Sequence, residues 1–177
     1  MKFIALLRGI NVGGNRKVQM KRLRDFLETL GYTSVETYLN SGNVIFESTK
    51  KQEELQEEIP RRLQREFGFE IRTLVMSAKE IQRITRAIPG EWKNDSEQKT
   101  DVAYLFPEID SKKTIDALPV NVDFIDIRYV KGAIIWHVSR NNYNKSHLNK
   151  IIGLEQYQCM TVRNVNTARF LAGMEGN

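Results

Sequence analysis

Phe3-Ile4-Ala5-Leu6-Leu7-Arg8-Gly9-Ile10-Asn11-Val12-Gly13-Gly14-Asn15-Arg16-Lys17 is the stretch that decides how the chain folds. Its first five residues are apolar on both alternating sets of positions, which predicts a strand buried on both faces. The run then breaks into glycines, asparagines and positive charges, the composition of a loop. From Met20 the spacing changes. Met20, Leu23, Phe26, Leu27 and Leu30 mark one face of a helix, and Lys21, Arg22, Arg24, Asp25 and Glu28 mark the other. Gly31 stops that helix as a C-terminal cap.

Further along, Val35 to Leu39 is a strand, Asn40-Ser41-Gly42-Asn43 a tight turn, and Val44 to Glu47 the returning strand of a hairpin. Leu55, Ile59, Leu63 and Phe67 fall four apart on a second helix. Pro60 lies inside it, and an interior proline costs about 3 kcal/mol, so a kink or two shorter helices are expected. Gly68 ends the helix, and Ile71 to Met76 is a strand. The order is strand, helix, strand, strand, helix, strand, that of the ferredoxin-like split βαβ arrangement.

Ser77-Ala78-Lys79-Glu80 has the spacing of a capping box, opening a helix with Ile81, Ile84 and Ile88 inside. Glu91 to Thr100 is polar and expected as a surface loop joining two halves. The same order then recurs: a strand at Val102 to Phe106, a helix at Ser111 to Leu118, strands at Val122 to Val130 and Ala133 to Val138, a short helix capped by Ser146, a strand at Gln158 to Val162 and a closing helix at Asn164 to Ala172. The expected fold class is α+β: two tandem ferredoxin-like (βαββαβ) halves packed into one compact unit. Residues 1–76 form the first half, 77–100 the linking helix and loop, and 101–177 the second half. Both halves open on strands apolar on both sides, so each sheet's second face must also be covered.

At 177 residues the chain buries roughly 70% of its unfolded surface without help from disulfides or metal. Its 27 Lys and Arg against 22 Asp and Glu give a mild +5, which permits anionic partners without requiring them. The single cysteine, Cys159, excludes an internal disulfide and is expected as a buried or half-buried bystander. No run approaches the 18 or so apolar residues of a spanning helix, and five apolar residues after Lys2 are too short for a secretory signal. Cytoplasmic residence and no membrane partner are the expectation.

Leu6-Leu7-Arg8-Gly9-Ile10-Asn11-Val12-Gly13-Gly14, Met20 opening a helix, Thr37-Tyr38-Leu39-Asn40-Ser41-Gly42-Asn43-Val44 and Thr161-Val162-Arg163-Asn164-Val165-Asn166-Thr167 together resemble the domain of unknown function 1697 family of bacterial proteins. The resemblance spans nearly the whole chain. It implies two tandem ferredoxin-like halves, and it implies no activity. Val165 stands where tryptophan is common in the family, which argues against an aromatic platform there.

Ferredoxin-like topology places the loop after the first strand and the hairpin turn at one edge of the sheet. Arg8, Gly9, Asn11, Gly13, Gly14, Asn15, Arg16 and Lys17 should therefore neighbour Asn40, Ser41, Gly42 and Asn43. Glycines let backbone N–H groups approach a ligand, helix N-termini favour anions, and arginine grips phosphate or carboxylate with paired hydrogen bonds. The loop matches neither the P-loop nor the dinucleotide fingerprint. Its architectural explanation has equal weight, since glycines turn chains and Asn-Ser-Gly-Asn suits any hairpin. A second polar edge gathers Ser139 to Lys145 with Arg163 and Asn164, the latter pair also suited to capping the last helix.

His137 reads as a core or edge residue and His147 as exposed. Neither joins a metal-ligand spacing, and no nucleophile–base pair stands out. Glu53-Glu54 and Glu57-Glu58 read as a solvated helix face. Lys131-Gly132-Ala133-Ile134-Ile135-Trp136 begins like a ribonucleoprotein signature and continues with aliphatics, and Asn43-Val44-Ile45-Phe46 lacks the pattern. The expected function is binding of a small anionic ligand, phosphorylated compounds among the candidates, at the two-loop edge, with no cofactor and no metal. A nucleic-acid-binding module using a basic edge and a protein-interaction module are the alternatives. Whether the chain is an enzyme, and its oligomeric state, stay open at this level.

Overall fold

The computed structural model describes residues 1–14 and 16–173. It has a mixed α+β fold whose described residues form two four-stranded antiparallel sheets and five α-helices. The chain divides into two compact units, Met1–Lys79 and Glu80–Asn177.

The first unit runs β1 (Lys2–Leu7), α1 (Met20–Thr29), β2 (Thr33–Tyr38), β3 (Asn43–Glu47), α2 (Gln52–Phe67) and β4 (Thr73–Ser77). Its sheet has the order β2-β3-β1-β4, so the all-apolar strand is central, with Ile4 opposite Ile45 on one side and Met76 on the other. Phe3, Ala5 and Leu7 pack into a cluster with Leu23 and Leu27 of α1 and Leu55, Ile59 and Leu63 of α2. Ile4 and Leu6, on the other set of positions, are equally buried. The strand is thus buried on both faces.

Helix α2 runs unbroken through Pro60, so the expected division into two helices does not occur. Tertiary contacts outweigh the missing hydrogen bond. Ile59 and Leu63 flank the proline fully buried, each such side chain stabilising by about 1.5–3 kcal/mol. One turn earlier, Gln56 ties the helix to β4: its Nε2 donates to the Thr73 carbonyl at 2.8 Å, and its Oε1 accepts from the Val75 N–H at 2.8 Å. Glu58 is a second correction. It is not on a solvated face; its carboxylate pairs with the Lys50 ammonium and accepts from the Tyr32 hydroxyl. Lys50, ahead of the Lys51 N-cap and outside the helix, faces back onto it.

Helix α3 (Ala78–Arg86) carries the division between the units. The second unit continues with β5 (Gln98–Leu105), α4 (Lys113–Asp116), β6 (Asp126–Val130), β7 (Ala133–Ser139), β8 (Met160–Asn164) and α5 (Val165–Leu171). Its sheet has the order β6-β7-β5-β8, the same permutation as the first. Several expected boundaries move. The helix at Ser111 to Leu118 is α-helical only over Lys113–Asp116, β6 begins at Asp126, and β8 begins at Met160. The segment after Ser146 is a 3-10 helix, Leu148–Gly153.

Glu91 to Thr100 is not simply a polar loop. β5 already begins at Gln98, and Trp92 is buried. Trp92 stacks on His137 at 4.9 Å, with the Arg128 guanidinium 4.5 Å from its ring. The Thr100 hydroxyl donates to the Lys93 carbonyl, so its oxygen accepts from His137 Nδ1 at 2.9 Å, and burial holds the imidazole below its ordinary pKa. His137 is a packing residue. His147, in a left-handed conformation at the start of a 3-10 turn, is half-buried rather than exposed.

One detail recurs in both units. The Leu7 N–H donates to Gly42 O at 2.8 Å and the Arg8 N–H to Arg72 O at 2.8 Å. In the second unit the Leu105 N–H donates to Gly132 O at 2.9 Å and the Phe106 N–H to Cys159 O at 3.0 Å. In each unit the end of the central strand is held between a hairpin glycine and the residue preceding, or closely preceding, the last strand. No described helix is long and apolar enough to cross a membrane.

Candidate functional site

The end of β1 delivers the chain into the loop at Arg8, and the loop is shaped by residues that accept positive φ. Gly9, Asn11, Gly13, Gly14 and Arg16 all have φ between 51° and 78°. Asn11 is its hub. Its Nδ2 donates to Val18 O at 2.9 Å and to Asn40 O at 2.8 Å, and its Oδ1 accepts from the Val18 N–H at 2.8 Å. Its backbone N–H donates to Arg16 O at 3.2 Å. One side chain therefore closes the loop on itself and locks it to the hairpin turn.

The turn answers with close packing. Gly42 lies at φ +79°, and a Cβ there would fall 2.7 Å from Leu7 Cβ and 2.9 Å from Ile10 Cδ1. Asn43 is fully buried and donates to Tyr38 O and Ser41 Oγ. The loop after β1 and the turn between β2 and β3 thus meet at one edge of the sheet, as the topology requires. Arg8 is half-buried at the loop's root, whereas Gly9, Gly13, Gly14, Arg16, Lys17, Asn40 and Ser41 are exposed. Asn15 lies outside the described residues.

Charge on this edge is one-sided. The first 24 residues hold seven Lys and Arg and no Asp or Glu. On α1 the cations find partners: Lys21 and Arg24 pair with Asp25, and Arg22 with Glu66. Among the described residues, the Arg16 and Lys17 side chains have no such partner. The Arg16 guanidinium lies over Gly9, with Nη1 3.9 Å from where a Cβ would stand.

Between the loop and the start of α1 is a groove of about 400 Å³, lined by Asn11, Gly14, Lys17, Val18, Gln19, Met20 and Asn40. Among the described residues, no histidine, cysteine or carboxylate is in that lining. Gln19 at the N-cap makes no side-chain capping bond, and no acidic residue occupies the first turn. The first N–H groups of α1 are therefore left without a side-chain acceptor, the arrangement that favours an anion. The groove's donors suit binding and charge neutralisation, not proton transfer. Val18 and Gln19 go unnamed in the sequence reading, and Met20 enters it only as the start of a helix. The signal was readable as an absence, since no Ser, Thr, Asp or Asn stands directly before Met20.

Arg163 and Asn164 belong to the second unit, and local bonds occupy both side chains. Arg163 is buried, its Nη1 donating to Thr161 Oγ1 at 3.0 Å and to Val162 O at 2.9 Å, and burial lowers its pKa to about 10. Asn164 is the N-cap of α5, its side chain accepting from the Thr167 N–H at 2.9 Å. The second unit also has a counterpart to Asn11 that sequence reasoning missed. Asp110 accepts from the Gly132 N–H at 2.8 Å and the Tyr129 hydroxyl at 3.0 Å, and pairs with Lys131 Nζ at 2.6 Å. Burial opposes its ionisation, and these three donors together still hold its carboxyl below the ordinary range. There the clamp carries its own cation, and in the first unit the neutral clamp leaves the neighbouring cations unmatched.

Residues 1–136 match the model of a family described as Protein of unknown function (DUF1697). Among solved structures, the chain is similar to that of a conserved bacterial protein from Streptococcus pneumoniae. The two are 27% identical, with 99% of this chain and 98% of that chain covered and a TM-score of 0.84. No functionally curated protein matches the chain.

Proposed function

We propose that this chain, which belongs to the DUF1697 family of proteins of unknown function, binds a small phosphorylated anion at the edge formed by the β1–α1 loop and the β2–β3 turn. The observation that carries the reading is unmatched charge beside a fitting groove. Among the described residues, Arg16 and Lys17 have no acidic partner, and the groove that Lys17 lines at the start of an uncapped helix holds no carboxylate. In this reading Asn11, Asn40, Ser41, Gly42 and Asn43 build the frame. Arg8, Arg16, Lys17 and the N–H groups of Gly9, Gly13 and Gly14 supply the charge and donors. Arg163 and Asn164 serve the second unit's structure.

The fold belongs to the same proposal. Strand orders β2-β3-β1-β4 and β6-β7-β5-β8, with matching hydrogen bonds at Leu7/Gly42 and Leu105/Gly132, support two tandem ferredoxin-like halves. The first half runs through β4, which ends at Ser77, the second begins with β5 at Gln98, and the segment between them, α3 included, is the link. The protein works in the cytoplasm, needs no cofactor, and is a binding protein first, whatever chemistry follows. A thermal-shift panel of nucleotides, phosphosugars and carboxylate metabolites tests it. A ligand at a hundred times its dissociation constant stabilises by about 2.7 kcal/mol. At least one phosphorylated compound should raise the melting temperature, and the rise should vanish in Arg16→Ala/Lys17→Ala. A panel without any shift, or a shift that survives the double variant, would overturn the reading.

A further inference from the structure

The groove beside Lys17 is larger than a lone phosphate group needs. Its volume of about 400 Å³ falls within the roughly 300–1,000 Å³ of sites that enclose a whole organic ligand. Bonds already made limit what the rest of the lining can offer. Asn11 spends its Nδ2 on two carbonyls and its Oδ1 on the Val18 N–H, so it serves as frame. Val18 is a buried member of the core, and Met20 packs half-buried against that core, so the two give the groove an apolar wall. Gln19 and Asn40 are exposed, and among the described residues their side-chain amides have no protein partner. Asn40 is held in place all the same, since its backbone carbonyl accepts from Asn11 Nδ2 at 2.8 Å.

These parts ask for more than a phosphate. Each amide sets a carbonyl acceptor beside its N–H donors, so Gln19 and Asn40 suit a ligand edge that carries donors and acceptors together. The wall suits the face of a ring, and a thioether such as that of Met20 makes favourable contacts with aromatic rings. A sugar phosphate would satisfy the amides and leave the wall wet, whereas a nucleobase satisfies both. Charge limits the phosphates. Among the described residues Lys17 is the one cation of the lining, and no carboxylate stands there to hold the magnesium ion that accompanies a triphosphate. We infer that the groove takes a nucleoside monophosphate, with its phosphate at Lys17, its base edge at Gln19 and Asn40, and its base face against Met20. The inference rests on the anion reading at Lys17 and names the ligand class of that site.

Isothermal titration calorimetry with AMP, GMP, CMP and UMP, with ribose 5-phosphate and with the parent nucleosides tests it. At least one monophosphate should bind about fivefold or more tighter than ribose 5-phosphate, which has the phosphate and lacks the base. Met20→Ala should weaken that nucleotide by about two- to tenfold and leave ribose 5-phosphate unchanged. The unchanged sugar phosphate is the internal check that the groove still forms without the Met20 side chain. Gln19→Ala, at an exposed position, should cut the preference by a similar factor of about two to ten. If ribose 5-phosphate binds as tightly as every monophosphate, the nucleotide proposal falls and the small-anion reading stands. A preference that survives intact in both variants would also overturn the proposal, because the base would then lie elsewhere. A nucleoside that binds as tightly as its monophosphate would overturn the anion reading itself, and this inference with it.

Discussion

Replacing Gly42 with alanine tests the contact that holds the two loops together. The perturbation acts twice. Gly42 has φ +79°, where an L-residue pays about 1–2 kcal/mol. The added methyl would also stand 2.7 Å from Leu7 Cβ and 2.9 Å from Ile10 Cδ1, both side chains fully or almost fully buried. Leu7 Cβ is anchored to the central strand and cannot swing away, so overpacking adds about 1–3 kcal/mol. The expected total is about 2–5 kcal/mol. The turn can escape only by lifting from β1, which lengthens the 2.8 Å bond from the Leu7 N–H to Gly42 O and withdraws Asn40 O from Asn11. Gly68→Ala is the matched control. Its φ is +80° and no atom lies within 4 Å of its missing Cβ, so it pays the conformational cost alone, about 1–2 kcal/mol. Urea denaturation followed by far-ultraviolet circular dichroism measures both. Equal losses in the two variants would refute the claim that Gly42 is required by close approach.

Asn164→Ala should cost about 0.5–2 kcal/mol in the same assay, by removing the cap of α5, and should leave any anion-induced thermal shift unchanged. Glu58 gives a pH signature. The Lys50 ammonium, opposed by burial and joined by the Tyr32 hydroxyl, holds its carboxyl below the ordinary carboxylate range. A depressed folded pKa contributes stability that is present above the unfolded value, about 4.3, and is lost as pH falls through the folded value. The stability gap between wild type and Glu58→Gln should therefore be largest near neutrality and close in acid. A gap that widens as pH falls would contradict the pairing.

Apolar patterning carried the architecture. Phe3 to Leu7 announced a central strand because both of its residue sets are apolar, and Leu23/Leu27 and Leu55/Ile59/Leu63 announced the helices that cover one face. The meeting of the loop after β1 with the Gly42 turn followed from strand order alone. What stayed hidden depends on partners distant in sequence. Pro60 reads as a break because its cost is local, while the Gln56–β4 bonds and the burial that outweigh it are not. Glu58 reads as solvated because its neighbours on the helix are charged, yet its partners are Lys50 and Tyr32, outside the helix. Trp92 lies in a polar segment and is buried by β6 and β7 side chains it meets only in the fold. Asn11 and Asp110 illustrate the same limit at the site: an Asx after a strand is legible as loop chemistry, but not which turn it clamps. The unmatched charge of Arg16 and Lys17 was half legible. Their sign is in the sequence, and the reach of Asp25 and Glu66 to other cations instead is in the structure.

The most direct measurement is a titration of the ¹⁵N-labelled protein with inorganic phosphate, followed by amide chemical shifts. Saturable shifts confined to Gly13, Gly14 and the Lys17 to Lys21 amides, and absent in Arg16→Ala/Lys17→Ala, are the predicted result. Shifts that never saturate, or that gather instead around Lys131 in the second unit, would contradict an anion site at the β1–α1 loop.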